Sequence, residues 1–365
     1  MKHAFVISTH SGTFMRELAA EFDESIVIDI PTDDLLEQLP PANISDDQLL
    51  HVVQHAVRAS LFDGQSTDQI YEKGLRLVTH YLRCLTGDTV VVWGGRHLHL
   101  AAAVEAARIR GIGTVFLETG VVPTTIAIDP LGTNDRSTIA RITRFPRVNM
   151  IAAQSARSRL MPQLGATVDD VPDDDALPKA FVLYLSQCHW DTQITGGAGV
   201  YPSLIAAVCA AFHAAQEQGL PLVVKVHPMD IPWGADHIRR VLPETPLLFK
   251  TPVKEAIARS QAVMTLNSGA GYEACLYGKP VVVLGQALYA YCAWRPSREQ
   301  SLSDTLRRAM AIGPKTQETD RFATELQYHL VSMAKPYFPR IAARIREIES
   351  GEFLQKVKER THQSF

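Results

Sequence analysis

Several short segments of this chain hold residue types that can do chemistry together. In Thr265-Leu-Asn-Ser-Gly-Ala-Gly-Tyr-Glu273 an apolar run gives way to small residues and then to a helix-forming stretch. A helix that starts at such a turn points free N-H groups outward, a place where a phosphate or a ribose hydroxyl binds readily. Asn267 and Ser268 can cap it, Gly269 and Gly271 let a ligand approach the backbone, and Glu273 can accept from a ribose. An ordinary capped strand-to-helix turn accounts for the same residues.

The segment Lys225-Val-His-Pro228 closes an apolar run, and Pro228 ends that strand with His227 at its carboxyl end, where ligands of open parallel sheets collect. There His227 can donate to a departing phosphate, with Lys225 beside it. Packing is the commoner fate of a single histidine. A third segment, Leu185-Ser-Gln-Cys-His-Trp-Asp-Thr-Gln-Ile194, follows another strand and offers Gln187 and Asp191 ahead of glycines 196, 197 and 199. Asp191 can serve as a nucleophile or as the partner of a cationic transition state; a solvated capping aspartate fits the same place.

Earlier in the chain, Phe116-Leu-Glu-Thr-Gly120 sets Glu118 at a strand end, where it can act as general base toward an acceptor hydroxyl. Trp93-Gly-Gly-Arg96 ends the preceding strand with an aromatic ring and a cation suited to a sugar acceptor, and Gly12 lies in the corresponding first loop, Ser8 to Thr13. Packing for Trp93 and a surface charge for Arg96 explain these residues equally well.

Positioning such residues takes parallel strands alternating with helices, and the chain has that pattern twice. Strand-like runs at 4–8, 25–30, 89–93 and 114–118 alternate with helical stretches at 14–22, 46–61, 67–85 and 98–110. A second series follows, with strands at 181–185, 220–226, 262–266 and 280–284 and helices at 202–218 and 271–277. The stretch Asp169 to Pro178, with five aspartates and two prolines, reads as a linker. Three parts are therefore expected: residues 1–170 as an N-terminal Rossmann-like acceptor domain, 171–335 as a Rossmann-like donor domain, and 336–365 as a basic helix returning to the first. That helix is expected over Tyr337 to Lys358.

A length of 365 residues suits two cores rather than one. With 46% hydrophobic and 21% charged residues, and no apolar run long enough to span a bilayer, the chain reads as a globular protein of the cytoplasm. No signal peptide is expected, since Met1-Lys2-His3 leads at once into a short strand. Five scattered cysteines without CxxC spacing argue against a disulfide framework or a zinc site, and a net charge of -3 gives no drive toward nucleic acid.

Taken in order, Phe116 to Gly120 with Asp129-Pro-Leu-Gly-Thr-Asn134, Gln187 to Ile194, Lys225 to Pro228 and Asn267 to Ala274 resemble the bacterial retaining β-Kdo glycosyltransferases of capsule and O-antigen assembly. The resemblance implies a GT-B fold, two Rossmann-like domains facing a cleft, and a CMP-Kdo donor. It also implies transfer with retention to a glycan or glycolipid acceptor, with Asp191 as nucleophile, Glu118 as acid/base and His227 on the departing phosphate. Lys225, Gln187, Asn267, Ser268, Gly269 and Glu273 would complete the CMP-sugar site, with no metal and no cofactor. Cys188-His189-Trp190 and the glycines at 196–199 depart from that pattern. Other readings stay open: the same fold with CMP-sialic acid or a UDP sugar, a UDP-GlcNAc 2-epimerase-like isomerase, or a nucleotide-binding protein without catalysis. Peripheral attachment to the inner membrane through the basic tail is a further expectation.

Overall fold

The computed structural model describes residues 1–8, 11–63, 66–146, 149–161, 177–191, 193–194, 201 and 203–365. Most of the acidic stretch, Asp169 to Ala176, lies outside the described residues, as do Thr9, His10, Thr192 and the glycine-rich Thr195 to Gly199. Two compact units divide the chain. The first holds Met1–Gly120, Thr124–Arg144 and Tyr328–Phe365, and the second Val121–Pro123 and Phe145–Gln327. The division thus falls at Arg144/Phe145, ahead of the acidic stretch, and the helix Met150–Leu160 counts with the second unit.

The first unit is built on a six-stranded sheet. Strands β1 (His3–Val6), β2 (Ser25–Ile28), β3 (Thr89–Trp93) and β4 (Gly113–Thr119) run parallel in the order β4-β3-β1-β2. Side chains alternate across such a strand, and the two cores show it. Ala4, Val6, Val90 and Val92 pack with Leu77, Val78, Tyr81 and Ala103 on one face. Phe5, Val91, Val115 and Leu117 pack with Met15, Leu18, Ile341 and Ile345 on the other.

Two strands join this sheet that the apolar pattern does not announce. β5 (Thr125–Asp129) pairs antiparallel with β4, setting Glu118 opposite Ala127, and β11 (Leu330–Ser332) pairs antiparallel with β5. Gly120 makes the β4–β5 turn feasible, because a Cβ there would stand 2.0 Å from Thr125 Oγ1. The tail forms two helices, Phe338–Glu349 and Glu352–Thr361, instead of one over 337–358. Gly351, at φ 78°, separates them.

The second unit carries five parallel strands, β6 (Val182–Leu185), β7 (Leu222–Lys225), β8 (Leu247–Leu248), β9 (Ala262–Thr265) and β10 (Val281–Val283), in the order β10-β9-β6-β7-β8. In chain order this is 5-4-1-2-3, the Rossmann arrangement, with its switch point between β6 and β9. Val182, Tyr184, Val224, Met264 and Val282 bury against Ala207, Val208 and Ala211 of the helix Leu204–Glu217. Ser203 caps that helix by accepting from Ala206 N-H at 3.1 Å.

Candidate functional site

In the second unit a cavity of about 490 Å³ opens where its parallel strands end. Its lining comes from Leu185-Ser186 after β6, Lys225 to Pro228 after β7, Phe249 to Val253 after β8 and Ser268 to Ala270 after β9. The volume is in the range of sites for small organic ligands, at the edge where open α/β sheets bind them. Of the residues singled out by sequence, Lys225, His227, Ser268 and Gly269 line it.

His227 caps the short turn Pro228–Asp230, its Nδ1 accepting from Met229 N-H at 3.2 Å. Burial lowers its pKa; Asp191 and Asp230 oppose that shift and Lys225 adds to it. The ring is a neutral hydrogen-bond donor at neutral pH. Lys225, buried at 8% exposure, sends its ammonium to the Phe249 carbonyl at 2.7 Å and so ties the end of β7 to the segment after β8. Phe249, Lys250 and Thr251 are contributors the sequence reading missed. The strand before them is only two residues long, too short to register as an apolar run.

Gln187 and Asn267 sit at the switch point but outside the cavity lining. Gln187 Nε2 donates to Asn267 Oδ1 at 2.8 Å, and Asn267 N-H returns a bond to Gln187 Oε1 at 3.1 Å. Asn267 Nδ2 also donates to the Gln193 carbonyl at 3.0 Å. Both side chains are buried and fasten the ends of β6 and β9 to each other. Thr265 Oγ1, donating to the Leu185 carbonyl at 2.9 Å, adds a second fastening. The loop that follows β6 is held in turn: Asp191 Oδ1 accepts from Gln193 N-H at 2.8 Å, and Asp191 Oδ2 lies 3.5 Å from Gln187 Nε2.

The turn after β9 differs in detail from the expected one. The helix Ala270–Leu276 has Gly269 at its N-cap and no side-chain cap, so neither Asn267 nor Ser268 fills that role. Gly271 is kept small by the protein itself: a Cβ there would stand 2.0 Å from Tyr289 Oη and 2.9 Å from Thr265 Cγ2. Tyr289 donates from that same hydroxyl to the Ser268 carbonyl and fixes the turn. Glu273 lies outside the cavity lining; burial raises its pKa while Lys254 lowers it.

In the first unit, Glu118 Oε1 accepts from Thr119 N-H at 2.9 Å, and its Oε2 lies 3.3 Å from where a Cβ on Gly94 would be. Gly94, at φ 74°, brings the end of β3 close to that carboxylate. Trp93 is half-buried, edge-on to Phe14 at 5.3 Å, which is the packing role. Arg96 is no surface charge. At 3% exposure it pairs with Asp135 and donates to the Thr133 carbonyl at 3.2 Å. Gly12 opens the helix Gly12–Ala19, and a Cβ there would meet Ile7 at an ordinary 3.8 Å, so nothing at that point demands glycine. Among the described residues no cluster of histidine, cysteine and carboxylate side chains has the spacing to hold a metal ion.

Residues 163–332 match the family described as "Capsule polysaccharide biosynthesis protein". That span contains the whole cavity of the second unit. "Protein FixF" of Sinorhizobium fredii (strain NBRC 101917 / NGR234) is 26% identical over 201 residues, 55% of this chain and 49% of its own length. The chain thus spans about half the length of the curated relative it matches. Among solved structures, "KpsC, beta Kdo 2,4 transferase" of Thermosulfurimonas dismutans superposes with a TM-score of 0.51 at 15% identity, covering 88% of this chain and 90% of that one. The "KpsC, beta Kdo 2,7 transferase" of the same organism gives 0.49 at 14% identity, covering 95% and 99%. The fold is of the GT-B class, α/β with two sheets: the second has the Rossmann order, whereas the expected Rossmann-like first sheet instead runs 2-1-3-4 in its parallel part, with β5 and β11 antiparallel at the edge. The resemblance to capsule-assembly proteins drawn from the sequence motifs is borne out by the family match.

Proposed function

We propose that the chain is a glycosyltransferase that moves Kdo from CMP-β-Kdo to a bacterial surface-polysaccharide acceptor with retention of configuration. The observation that carries this reading is the cavity of the second unit, where Lys225, His227 and Ser268 converge at strand ends inside the matched family segment. A nucleotide phosphate is the natural ligand of such an arrangement, since an ammonium, an imidazole N-H and backbone N-H groups all stabilise negative charge. The solved relatives named as Kdo transferases supply the donor sugar of the proposal.

In this mechanism Asp191 attacks the anomeric carbon of Kdo as the bond to the phosphate oxygen breaks, and CMP leaves with the bonding electrons. His227 and Lys225 take up the charge that develops on the phosphate, so the proposal assigns no metal and no cofactor. Glu118 then removes the proton of the acceptor hydroxyl, whose oxygen displaces Asp191 and restores the carboxylate. Gln187 and Asn267 hold the Asp191 loop at the end of β6 rather than contacting CMP. The acceptor is a glycan or glycolipid, and the enzyme works at the cytoplasmic face of the inner membrane. Among the described residues no helix is long and apolar enough to cross a membrane.

Incubation with CMP-Kdo and a capsule oligosaccharide is expected to release CMP, and Asp191→Ala to lower that release by at least about a thousandfold. Full activity of Asp191→Ala would overturn the mechanism. Release of CMP with no new glycosidic product, at the rate seen without acceptor, would overturn transfer.

A further inference from the structure

The tripeptide Cys188-His189-Trp190 has no role in the mechanism above, yet it touches the His227 turn at two points. Cys188 Sγ lies 3.1 Å from His227 Nδ1, and His189 Nδ1 lies 2.6 Å from Asp230 Oδ1. Asp230 is buried, and its carboxylate occupies the space over Gly234, where a Cβ would stand 3.0 Å from Oδ2. The His189 ring is fixed besides by stacking on Trp233, 4.0 Å away at 21°, and by the edge of Trp190 at 4.6 Å. One loop therefore grips both ends of the His227-Pro-Met-Asp230 turn.

The consequence for His227 follows from which groups can donate. Met229 N-H can only donate, so its 3.2 Å contact favours an Nδ1 that bears no proton. The Cys188 thiol is pushed up to about 12 by burial and by the charges of Asp230 and Asp191, so it keeps its hydrogen and donates to the same Nδ1. The single proton of neutral His227 then belongs on Nε2.

We propose that Cys188 is a positioning residue which, with the His189–Asp230 pair, holds His227 as its Nε2-H tautomer so that a neutral N-H serves the donor phosphate. The proposal rests on the reading of the cavity as a phosphate site only for its last clause. The tautomer itself is a property of the free protein. Groups that act on His227 electrostatically are Asp191 and Asp230, which raise its pKa, and Lys225, which lowers it. Removing the thiol takes away a donor to the neutral ring and raises that pKa. Removing the Asp230 charge lowers it. The two changes act in opposite directions, which a general loosening of the loop would not do.

The test is nitrogen-15 NMR of histidine-labelled full-length protein from pH 5 to 8, with the His227 signal assigned by its loss in His227→Gln. Wild type is expected to show the Nε2-H pattern. Cys188→Ala should shift it toward a mixture of tautomers and move the His227 midpoint upward, Cys188→Ser should restore the wild-type pattern, and Asp230→Asn should move the midpoint downward. CMP titrated into the same proteins should bind about fivefold more weakly to Cys188→Ala, the worth of about one hydrogen bond, and normally to Cys188→Ser. An unchanged tautomer and midpoint in Cys188→Ala would overturn the proposal even if CMP binds. An Nε2-H tautomer lost in Cys188→Ala, with no CMP binding to any form, would uphold the latch and count against the phosphate reading instead. Should Cys188→Ala fold poorly, a Cys188→Ser protein with an Nδ1-H His227 signal would also overturn it.

Discussion

Gln187 and Asn267 show how a pair of amides 80 residues apart can look like ligands in a sequence and act as fasteners in the fold. Each is a polar residue at a strand end beside a glycine-containing turn, which is also the composition of a nucleotide site. Their exchange of hydrogen bonds depends on β6 and β9 being neighbours, a fact no local pattern carries. Asn267→Ala would remove the acceptor of the 2.8 Å bond from Gln187 Nε2 and the donor to the Gln193 carbonyl, while the backbone N-H of residue 267 still reaches Gln187 Oε1, and should cost about 1 to 3 kcal/mol in urea unfolding. A loss below about 1 kcal/mol would contradict the fastening role. At the neighbouring turn, Gly271→Ala forces a methyl against Tyr289 and Thr265 and should cost about 1 to 3 kcal/mol, part of it recovered in a Tyr289→Phe background. Gly269→Ala should stay within about 0.5 kcal/mol of wild type, because Gly269 is exposed with helical φ −56° and ψ −33°. Equal costs at the two glycines would show that space around Gly271 is not what fixes it.

Among the elements, the buried parallel strands were the legible ones. Val90-Val-Val92 and Val281-Val-Val283 are continuous apolar β-branched runs flanked by turn residues, and such runs belong to strands covered on both faces. β5, β8 and β11 were not legible, being short or half-polar and placed by pairing with distant partners. The helix Leu98–Ile109 carries a consequence of burial that its sequence does not announce. His99 is held at about 4 by burial first, then by His97 and Lys73, and its Nε2 is buried without a hydrogen-bond partner among the described residues. The unfolded chain binds a proton at His99 below about pH 6.5 and the folded one does not until about 4. Stability from this group is therefore complete above pH 6.5 and lost as the pH falls toward 4. Between pH 7 and 4.5 wild type should lose about 2 to 3 kcal/mol more than His99→Gln in denaturant melts. Parallel pH profiles for the two proteins would contradict this. The tail helices are likewise less available than their composition suggests. Arg344 and Lys356 both pair with Glu347, and Arg346 donates to the Glu21 carbonyl over the Phe22 ring. Such charges are spent within the first unit.

For the whole molecule, the doubled α/β pattern was readable because each strand-helix alternation is local, whereas the path of the chain was not. The first unit is completed by Tyr328–Phe365, whose β11 and tail helices join it only through contacts with residues 200 or more positions earlier. The acidic segment was a visible compositional break, but the compact units divide at Arg144/Phe145, where the sequence has no comparable signal. The proposed function is tested at this scale by nucleotide preference. A ligand present at 100 times its dissociation constant adds about 2.7 kcal/mol to the state that binds it, so CMP should raise the melting temperature of the intact protein where equal concentrations of UDP and GDP do not. Calorimetric titration of CMP into wild type and His227→Gln tests the proposed nucleotide site. Saturable binding by wild type and about tenfold weaker binding by the variant are expected, as for one lost hydrogen bond to a charged phosphate. No CMP binding by wild type, or equal affinity in the two proteins, would contradict the proposed site.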